Sequence, residues 1–257
     1  DALPIFWEQL DSHPSDHLIP LEIQGEPSDQ TLAQLTTQAR EQQCQSVIAY
    51  GGGSVLDAGK ALAALLTNSS PLTTYLEIIG DAQPLTHTPA PMIAIPTTAG
   101  TGAEVTRNAV ITIEEANLKV SLRHPNMIPN TVIVDPLLTL TVPPSVTAAA
   151  GLDALTQLLE AFVSHRAHPL TDALCRSGLT HLATALHTAY HDGQDPAARA
   201  HMSYAALLSG IALTHVGLGS VHGFAGPLGG LLRAPHGEIC ATLLPPAIQT
   251  NLTALTD

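Results

Sequence analysis

Two polar side chains raise the first chemical question. In "GLDALTQLLEA" (151–161), Asp153 and Gln157 stand four residues apart in a stretch that otherwise favours an apolar helix. With about 3.6 residues per turn, both leave the helix on one side. They are either polar residues on a solvated face or half of a metal site in which a neutral amide oxygen is the second donor. Two loops raise a second question. "AYGGGSVLDAGK" places Gly51, Gly52 and Gly53 between the end of an apolar run and the start of a helical pattern. Glycines there let backbone approach a phosphate, and a helix N-terminus offers N–H donors and the positive end of its dipole. The stretch has neither the Lys-Ser/Thr pair of a P-loop nor the G-x-G-x-x-G spacing. A tight turn requiring positive φ is the alternative. Asp57, a turn into that helix, serves a ligand or the helix itself. The other loop, "PTTAGTGAEVT" (96–106), gathers Thr97, Thr98 and Thr101 with Gly100 and Gly102. Hydroxyls and free amides beside glycines make a neutral polar cradle for ribose or pyrophosphate oxygens. A threonine loop satisfying its own backbone is the competing explanation.

The surrounding pattern must position these groups. "SDQTLAQLTTQAREQQ" (28–43) opens with cap-type residues and reads as a helix. "SVIAY" (46–50), "MIAIPTT" (92–98) and "TVIVD" (131–135) read as buried strands, and "VLDAGKALAALLT" (55–67) as a helix. "NAVITI" (108–113) and "KVSL" (119–122) form a hairpin-type excursion. Near-continuous apolar strands alternating with helices predict a parallel sheet covered on both faces. Both polar loops follow strands, which is the edge where ligands bind in open α/β sheets. At "TVPPSV" (141–146) the character changes to Ala/Leu-rich helices over 143–164, 168–193 and 195–217, with another beginning at "PHGEICATLLPPAIQTN". The expected organisation is a Rossmann-like α/β domain over 1–142 and an all-helical domain over 143–257, with the ligand cleft between them.

Composition narrows the function classes. Hydrophobic residues make up 45% of 257 and charged residues 12%, which excludes disorder and predicts a large buried core. The formal charge of −13, with no Lys/Arg cluster, argues against a nucleic-acid partner. Cys44, Cys175 and Cys240 are scattered and form no C-x-x-C pair, which suits a reducing cytoplasm. No uninterrupted apolar run has membrane-spanning length, so no membrane partner is expected. "DALPIFWEQL" at the start lacks the basic and apolar regions of an export signal.

"GGGSVLDAGK", "PTTAGTGAEVT", "GLDALTQLLEAFVS" and "VHGFAGPLGG…APHG" occur in the order found in the iron-containing (group III) alcohol dehydrogenases. The resemblance runs from about Gln30 to the end of the sequence, and four motifs in order are a specific signal. It implies NAD or NADP bound on the Rossmann-like domain, with pyrophosphate at Gly52, Gly53 and Ser54. Further cofactor contacts are implied for Asp57, Thr97, Thr98, Thr101 and Lys119. In the helical domain it implies one divalent metal, Fe or Zn. The family's ligands are an Asp, a His four residues on, and two further His. Asp153, His222 and His236 match three of these, and Gln157 stands at the second position. A carboxylate and two imidazoles suit Zn²⁺ or Fe²⁺, whereas the amide is a poorer ligand, so weaker metal binding is expected. A His that family members often carry four residues after the first site His, for proton relay, is Gly226 here. The family also has a further strand before the first helix and a longer helical tail. The first strand is therefore expected to be missing and the helical domain to be short at its C-terminus.

The implied function is an NAD(P)-dependent, metal-assisted alcohol dehydrogenase acting as an aldehyde or ketone reductase on small substrates, with a homodimer as the expected assembly. No general acid or base is identified beyond the metal ligands. One alternative is a nucleotide-binding protein with a decayed metal site and no catalysis. The other is a dehydroquinate-synthase-like lyase, which the lack of a basic cluster near the metal motif argues against. His181, His187 and His191 have no matching acid and are expected to be solvated.

Overall fold

The computed structural model describes residues 18–232 and 234–252. The N-terminal stretch read above for an export signal lies outside them. The first half contains α1 (Asp29–Glu41), β1 (Val47–Gly51), α2 (Gly53–Thr67), β2 (Met92–Pro96), the pair β3 (Asn108–Ile113) and β4 (Leu118–Arg123), and β5 (Thr131–Val132). Strands β1, β2 and β5 form one parallel sheet in the order β1-β2-β5, with Val47 opposite Met92 and Ile93 opposite Thr131. β3 and β4 form a separate antiparallel ribbon. The expected parallel sheet and hairpin are both present.

One face of the sheet, carrying Val47, Ala49, Met92 and Ala94, is buried. Gly59 of α2 packs there so closely that a Cβ would lie 2.6 Å from Ala49 Cβ. On the opposite face Ile95 is buried and Ile48 and Ile93 are partly buried, so both faces are covered, the first more completely. "TVIVD" also departs from its reading as a buried strand. Only Thr131–Val132 pair, and Ile133 is 47% exposed. β5 is the edge of the sheet, and Pro136, which has no N–H for a ladder, turns the chain out of it. Asp135 accepts from Leu137 N at 2.9 Å and starts a short 3-10 turn instead.

Buried Lys60 joins α2 to the ribbon. Its ammonium pairs with Asp57 at 2.9 Å, donates to Thr106 Oγ1 at 2.8 Å and reaches the Asn108 carbonyl. A buried ammonium is tolerated only with such a set of acceptors.

The second half is helical: α3 (Pro144–Phe162), α4 (Pro169–His191), α5 (Pro196–Val216), α6 (Ser220–Leu232) and α7 (His236–Asn251). Prolines start α3, α4 and α5, where a missing N–H costs nothing. The core of α3, α4 and α5 is built of Leu158, Leu182 and Met202 among many alanines, which let the helices approach closely. Arg199 is buried and fixes the start of this bundle, donating to Gly193 O, Val142 O and Thr147 Oγ1 at 2.8–3.0 Å. α6 carries no helical signal of its own, because Gly223, Gly226, Gly229, Gly230 and Pro227 all lie inside it. Packing of Val221 and Ala225 against Ile239, Cys240 and Leu244 of α7 overrides those weak propensities. No single described helix is long and apolar enough to cross a membrane.

Candidate active site

The glycine loop leads from β1 into α2. None of Gly51, Gly52 and Gly53 has positive φ, so a left-handed turn is not the reason for them. Close approach is. A Cβ at Gly51 would lie 2.6 Å from Val55 Cγ2, and one at Gly53 would lie 2.9 Å from Thr101 Oγ1. A Cβ at Gly52 would meet Thr98 at 3.4 Å. The two loops expected to hold a cofactor are therefore side by side at the ends of β1 and β2, and glycine leaves a groove between them. Gly52 caps α2 without a side-chain hydrogen bond, and the first turn carries no acidic residue. Ser54 stands in that turn. This is an open, positively polarised helix end of the kind that receives a phosphate, so the residues fit the pyrophosphate of a dinucleotide.

Not every expected cofactor contact lies in this groove. Asp57 pairs with Lys60 through one oxygen and accepts from Val110 N at 3.0 Å through the other, so it serves the fold. Lys119 lies elsewhere, on β4. Its ammonium bonds Glu26 at 2.6 Å in a separate cleft of about 720 Å³ lined by Ser28, Asn117, Gly229 and Gly230.

The glycines of the second loop bind it to the helical half. Gly102, at φ 61°, lies against Gly210 of α5, where a Cβ would come within 2.5 Å of backbone. A Cβ on Gly100 would come within 2.6 Å of Ala150 on α3. Their role is thus clearance between backbones in addition to any ligand cradle. Thr101 has a dual position: its side chain faces Gly53, and its carbonyl accepts from Gln157 Nε2 at 3.3 Å.

Asp153 and Gln157 are 2% and 4% exposed, which removes the solvated-face reading. Asp153, at the middle of α3, is met by His222 from the first turn of α6 and by His236 at the start of α7. His222 Nε2 lies 3.2 Å from Asp153 Oδ1, and His236 Nε2 lies 3.7 Å from the same oxygen. The structure therefore brings Asp153 together with two expected ligands that lie 69 and 83 residues further along the sequence.

Two further residues complete the cluster, and both were missed in the sequence. Glu160 lies seven residues after Asp153 on the same side of α3. It accepts from His222 Nδ1 at 2.6 Å and from Val221 N at 2.7 Å. Cys240, one turn after His236 on α7, places Sγ 3.6 Å from His236 Nε2 and 3.8 Å from His222 Nε2. The i+7 and i+4 spacings were the available signals, but a Glu and a Cys at such spacings are common without a site.

Gln157, expected as the fourth ligand, does not point its oxygen at the cluster. Oε1 accepts from Ser209 Oγ at 2.7 Å, while Nε2 donates to Thr101 O and to Asp153 Oδ2, both at 3.3 Å. Two acceptors, Thr101 O and Asp153 Oδ2, set the amide nitrogen on their side; Ser209 Oγ, on the other, shares its one proton between Gln157 Oε1 and Ala206 O at 2.8 Å. Gly226 faces open space, with nothing within 4 Å of a Cβ placed there. His187, His191 and His215 are exposed, and half-buried His181 packs edge-on against His201 and Tyr204.

Electrostatics follow from the burial. Burial opposes charge on His222, but hydrogen bonds with Asp153, Cys240 and Glu160 outweigh it and lift the imidazole to about 11. Burial likewise opposes ionisation of Asp153 and Glu160, and contact with His222 holds both carboxyls below their ordinary range. His236 moves the other way, lowered by burial and by the neighbouring charges of His222 and Lys119 against the pull of Asp153. A protonated His222 thus bridges two carboxylates at a place where a cation is electrostatically welcome. Its Nδ1–H held on Glu160 is the arrangement that orients a metal-ligating imidazole. A carboxylate oxygen and two imidazole nitrogens suit Zn²⁺ or Fe²⁺.

Fold and site define a class: an α/β half with a nucleotide-type cradle at its strand ends, joined to a helical half that gathers metal-ligating groups. A profile of iron-containing alcohol dehydrogenases matches residues 2–136, and one of the C-terminal region of the same family matches residues 147–256. The chain belongs to the iron-containing alcohol dehydrogenase family. It is 39% identical to probable alcohol dehydrogenase EutG of Salmonella typhimurium, over 88% of this chain and 56% of that protein. It is 38% identical to 1,3-propanediol dehydrogenase of Klebsiella pneumoniae, over 90% of this chain and 59% of that one. Among solved structures, an alcohol dehydrogenase from Oenococcus oeni superposes with a TM-score of 0.92 at 36% identity, covering 98% of this chain and 65% of that one. Sulfoacetaldehyde reductase from Bifidobacterium kashiwanohense, solved in complex with NAD+, superposes with a TM-score of 0.89 at 29% identity, over 97% and 66%. The chain spans a little over half the length of the curated relatives it matches.

Proposed function

We propose that this protein is an NAD(P)-dependent, metal-assisted alcohol dehydrogenase that also works in reverse as an aldehyde or ketone reductase on small substrates. The observation that carries this reading is the convergence of Asp153, His222 and His236 in one cluster, joined through two hydrogen bonds of Gln157 to the loop that lines the glycine cradle. A divalent metal held by these residues supplies Lewis acidity toward a substrate oxygen, and the nicotinamide cofactor supplies hydride chemistry.

The chain's own residues do the positioning. Gly52, Gly53 and Ser54 offer backbone donors to the pyrophosphate, and Thr97, Thr98 and Thr101 wall the groove. Asp153 brings negative charge to a site built from α3, α6 and α7. Glu160 fixes the His222 ring through Nδ1, so that Nε2 faces the cluster. His236, 35% exposed against 8% for His222, is the more open ligand and faces the side from which a substrate oxygen would approach. Asp57 stays in this reading as the residue that aligns α2, and Lys119 as a charge in the cleft beside α6 and His236. A cytoplasmic homodimer, divided near residue 142, belongs to the same proposal; among the described residues Cys44, Cys175 and Cys240 are free.

The names of the relatives support dehydrogenase or reductase chemistry over a lyase or a silent nucleotide binder. The test is the metal content of protein prepared without chelator, read together with NAD(P)H absorbance over a panel of small alcohols and aldehydes. Equimolar zinc or iron is expected, with turnover abolished in Asp153→Ala. Bound NAD with neither metal nor turnover would overturn the reading.

A further inference from the structure

We propose that Cys240 is a metal ligand in this protein, so that the ion sits among Asp153 Oδ1, His222 Nε2, His236 Nε2 and Cys240 Sγ, with Gln157 outside the coordination sphere. The proposal rests on the metal reading above and specifies its donor set. The four donor atoms lie within 4.8 Å of one another. Zinc bonds of about 2.0–2.1 Å to nitrogen or oxygen and about 2.3 Å to sulfur give tetrahedron edges of roughly 3.3 Å between two N/O donors and roughly 3.6 Å between N and S. The observed separations are 3.2 and 3.7 Å for the carboxylate–imidazole edges, and 3.6 and 3.8 Å for the sulfur–imidazole edges. Four of the six edges thus lie near the tetrahedral values, and the other two, His222–His236 and Asp153–Cys240, are within 4.8 Å.

Gln157 lacks what Cys240 has. Its oxygen is taken by Ser209, and the amide nitrogen facing Asp153 repels a cation. Rotating the amide would set its oxygen against both the Thr101 carbonyl and the Asp153 carboxylate, which are acceptors. The amide therefore acts as a strut between loop and carboxylate. Cys240, wholly buried with its sulfur against both imidazoles, supplies the fourth donor from a different helix. On binding, the thiol proton is released to solvent and the thiolate bonds the ion. A thiolate among two imidazoles and a carboxylate is a softer set than nitrogen and oxygen alone, and it favours zinc or cobalt over harder ions.

The experiment is titration of metal-free protein with Co²⁺, followed by absorbance. The wild type is expected to develop a near-ultraviolet thiolate-to-cobalt charge-transfer band together with visible d–d bands. Cys240→Ser should keep the d–d bands, lose the charge-transfer band, and bind cobalt at least as much more weakly as the roughly tenfold caused by loss of an outer partner. Cys44→Ser should behave as wild type. Zinc-edge X-ray absorption of the wild type gives a check independent of any variant: one sulfur neighbour at about 2.3 Å. Cobalt bound without the charge-transfer band, or a band that survives Cys240→Ser, overturns the Cys240 assignment and leaves the metal reading standing. No cobalt binding at all overturns both.

Discussion

The glycine cradle and the metal cluster are neighbours built on opposite principles. The cradle is made of backbone: three glycines, an uncapped helix end and short hydroxyl side chains, all within two loops. The cluster is made of side chains from three helices, and its donors lie at positions 153, 222, 236 and 240. A backbone site demands an absence of side chains, and that demand is local. A side-chain site demands convergence, which depends on how α3, α6 and α7 pack. The two meet at Thr101, whose side chain walls the cradle and whose carbonyl holds Gln157.

If the contrast holds, each site can be damaged with the other retained. The largest effect belongs to Asp153→Ala, which removes the only carboxylate among the converging donors. Metal binding and turnover should both disappear while NAD still binds, as read by equilibrium binding of the cofactor. Loss of NAD affinity to the same degree would show that the cluster props up the cradle.

Gly53→Val is the converse. The Cβ alone would come within 2.9 Å of Thr101 Oγ1, and Thr101 is β-branched and stiff. NAD affinity should fall by about tenfold or more, equivalent to ~1.4 kcal/mol or above, with a smaller loss of cobalt or zinc affinity. Equal losses would mean that Thr101 transmits the damage and the sites form one unit. A smaller effect is expected for Glu160→Gln, which keeps an acceptor for His222 Nδ1 but removes its charge. Metal affinity should drop by about 10–100-fold, with NAD affinity and helical content unchanged. An unaltered metal affinity would show that Glu160 only anchors the start of α6 through Val221.

The same contrast explains what could be read in the sequence. Glycine and threonine loops after apolar runs were legible because their requirement is local, although the reason for the glycines was not. Positive φ and close approach look alike in a sequence, and here Gly51 to Gly53 answer to Val55, Thr98 and Thr101. The long helices α3, α4 and α5 were legible from proline starts and apolar periodicity. α6 was not, since five glycine or proline interruptions lower its propensity and only its packing on α7 sustains it. Asp153, His222 and His236 came from resemblance to the family's motifs. Position alone makes Gln157 a candidate ligand, whereas its orientation depends on Thr101, Asp153 and Ser209, the last 52 residues away. β5 read as buried because its residues are apolar, but an edge strand next to a proline leaves Ile133 in the open.

The smallest expected effect tests the loop that joins the two sites. Glu104, in that loop, is 4% exposed. Burial raises its carboxyl above the ordinary value of 4.5, with only partial relief from its own backbone N–H and from the charge of Lys60. An acid whose pKa is higher in the folded state is held protonated by folding. Below 4.5 both states carry the proton and the residue is neutral to stability. As pH rises through 4.5 the unfolded chain ionises first, so the fold loses stability until the folded-state pKa is passed. Glu104→Gln removes that penalty. Lys60 keeps Asp57, Thr106 and the Asn108 carbonyl as partners. The variant should therefore melt at a higher temperature than wild type near neutral pH, with the gap closing as pH falls below 4.5. A lower melting temperature at neutral pH would show instead that Glu104 is ionised against Lys60. The joint between cradle and cluster would then be held by a buried ion pair rather than by the glycine contacts at Ala150 and Gly210.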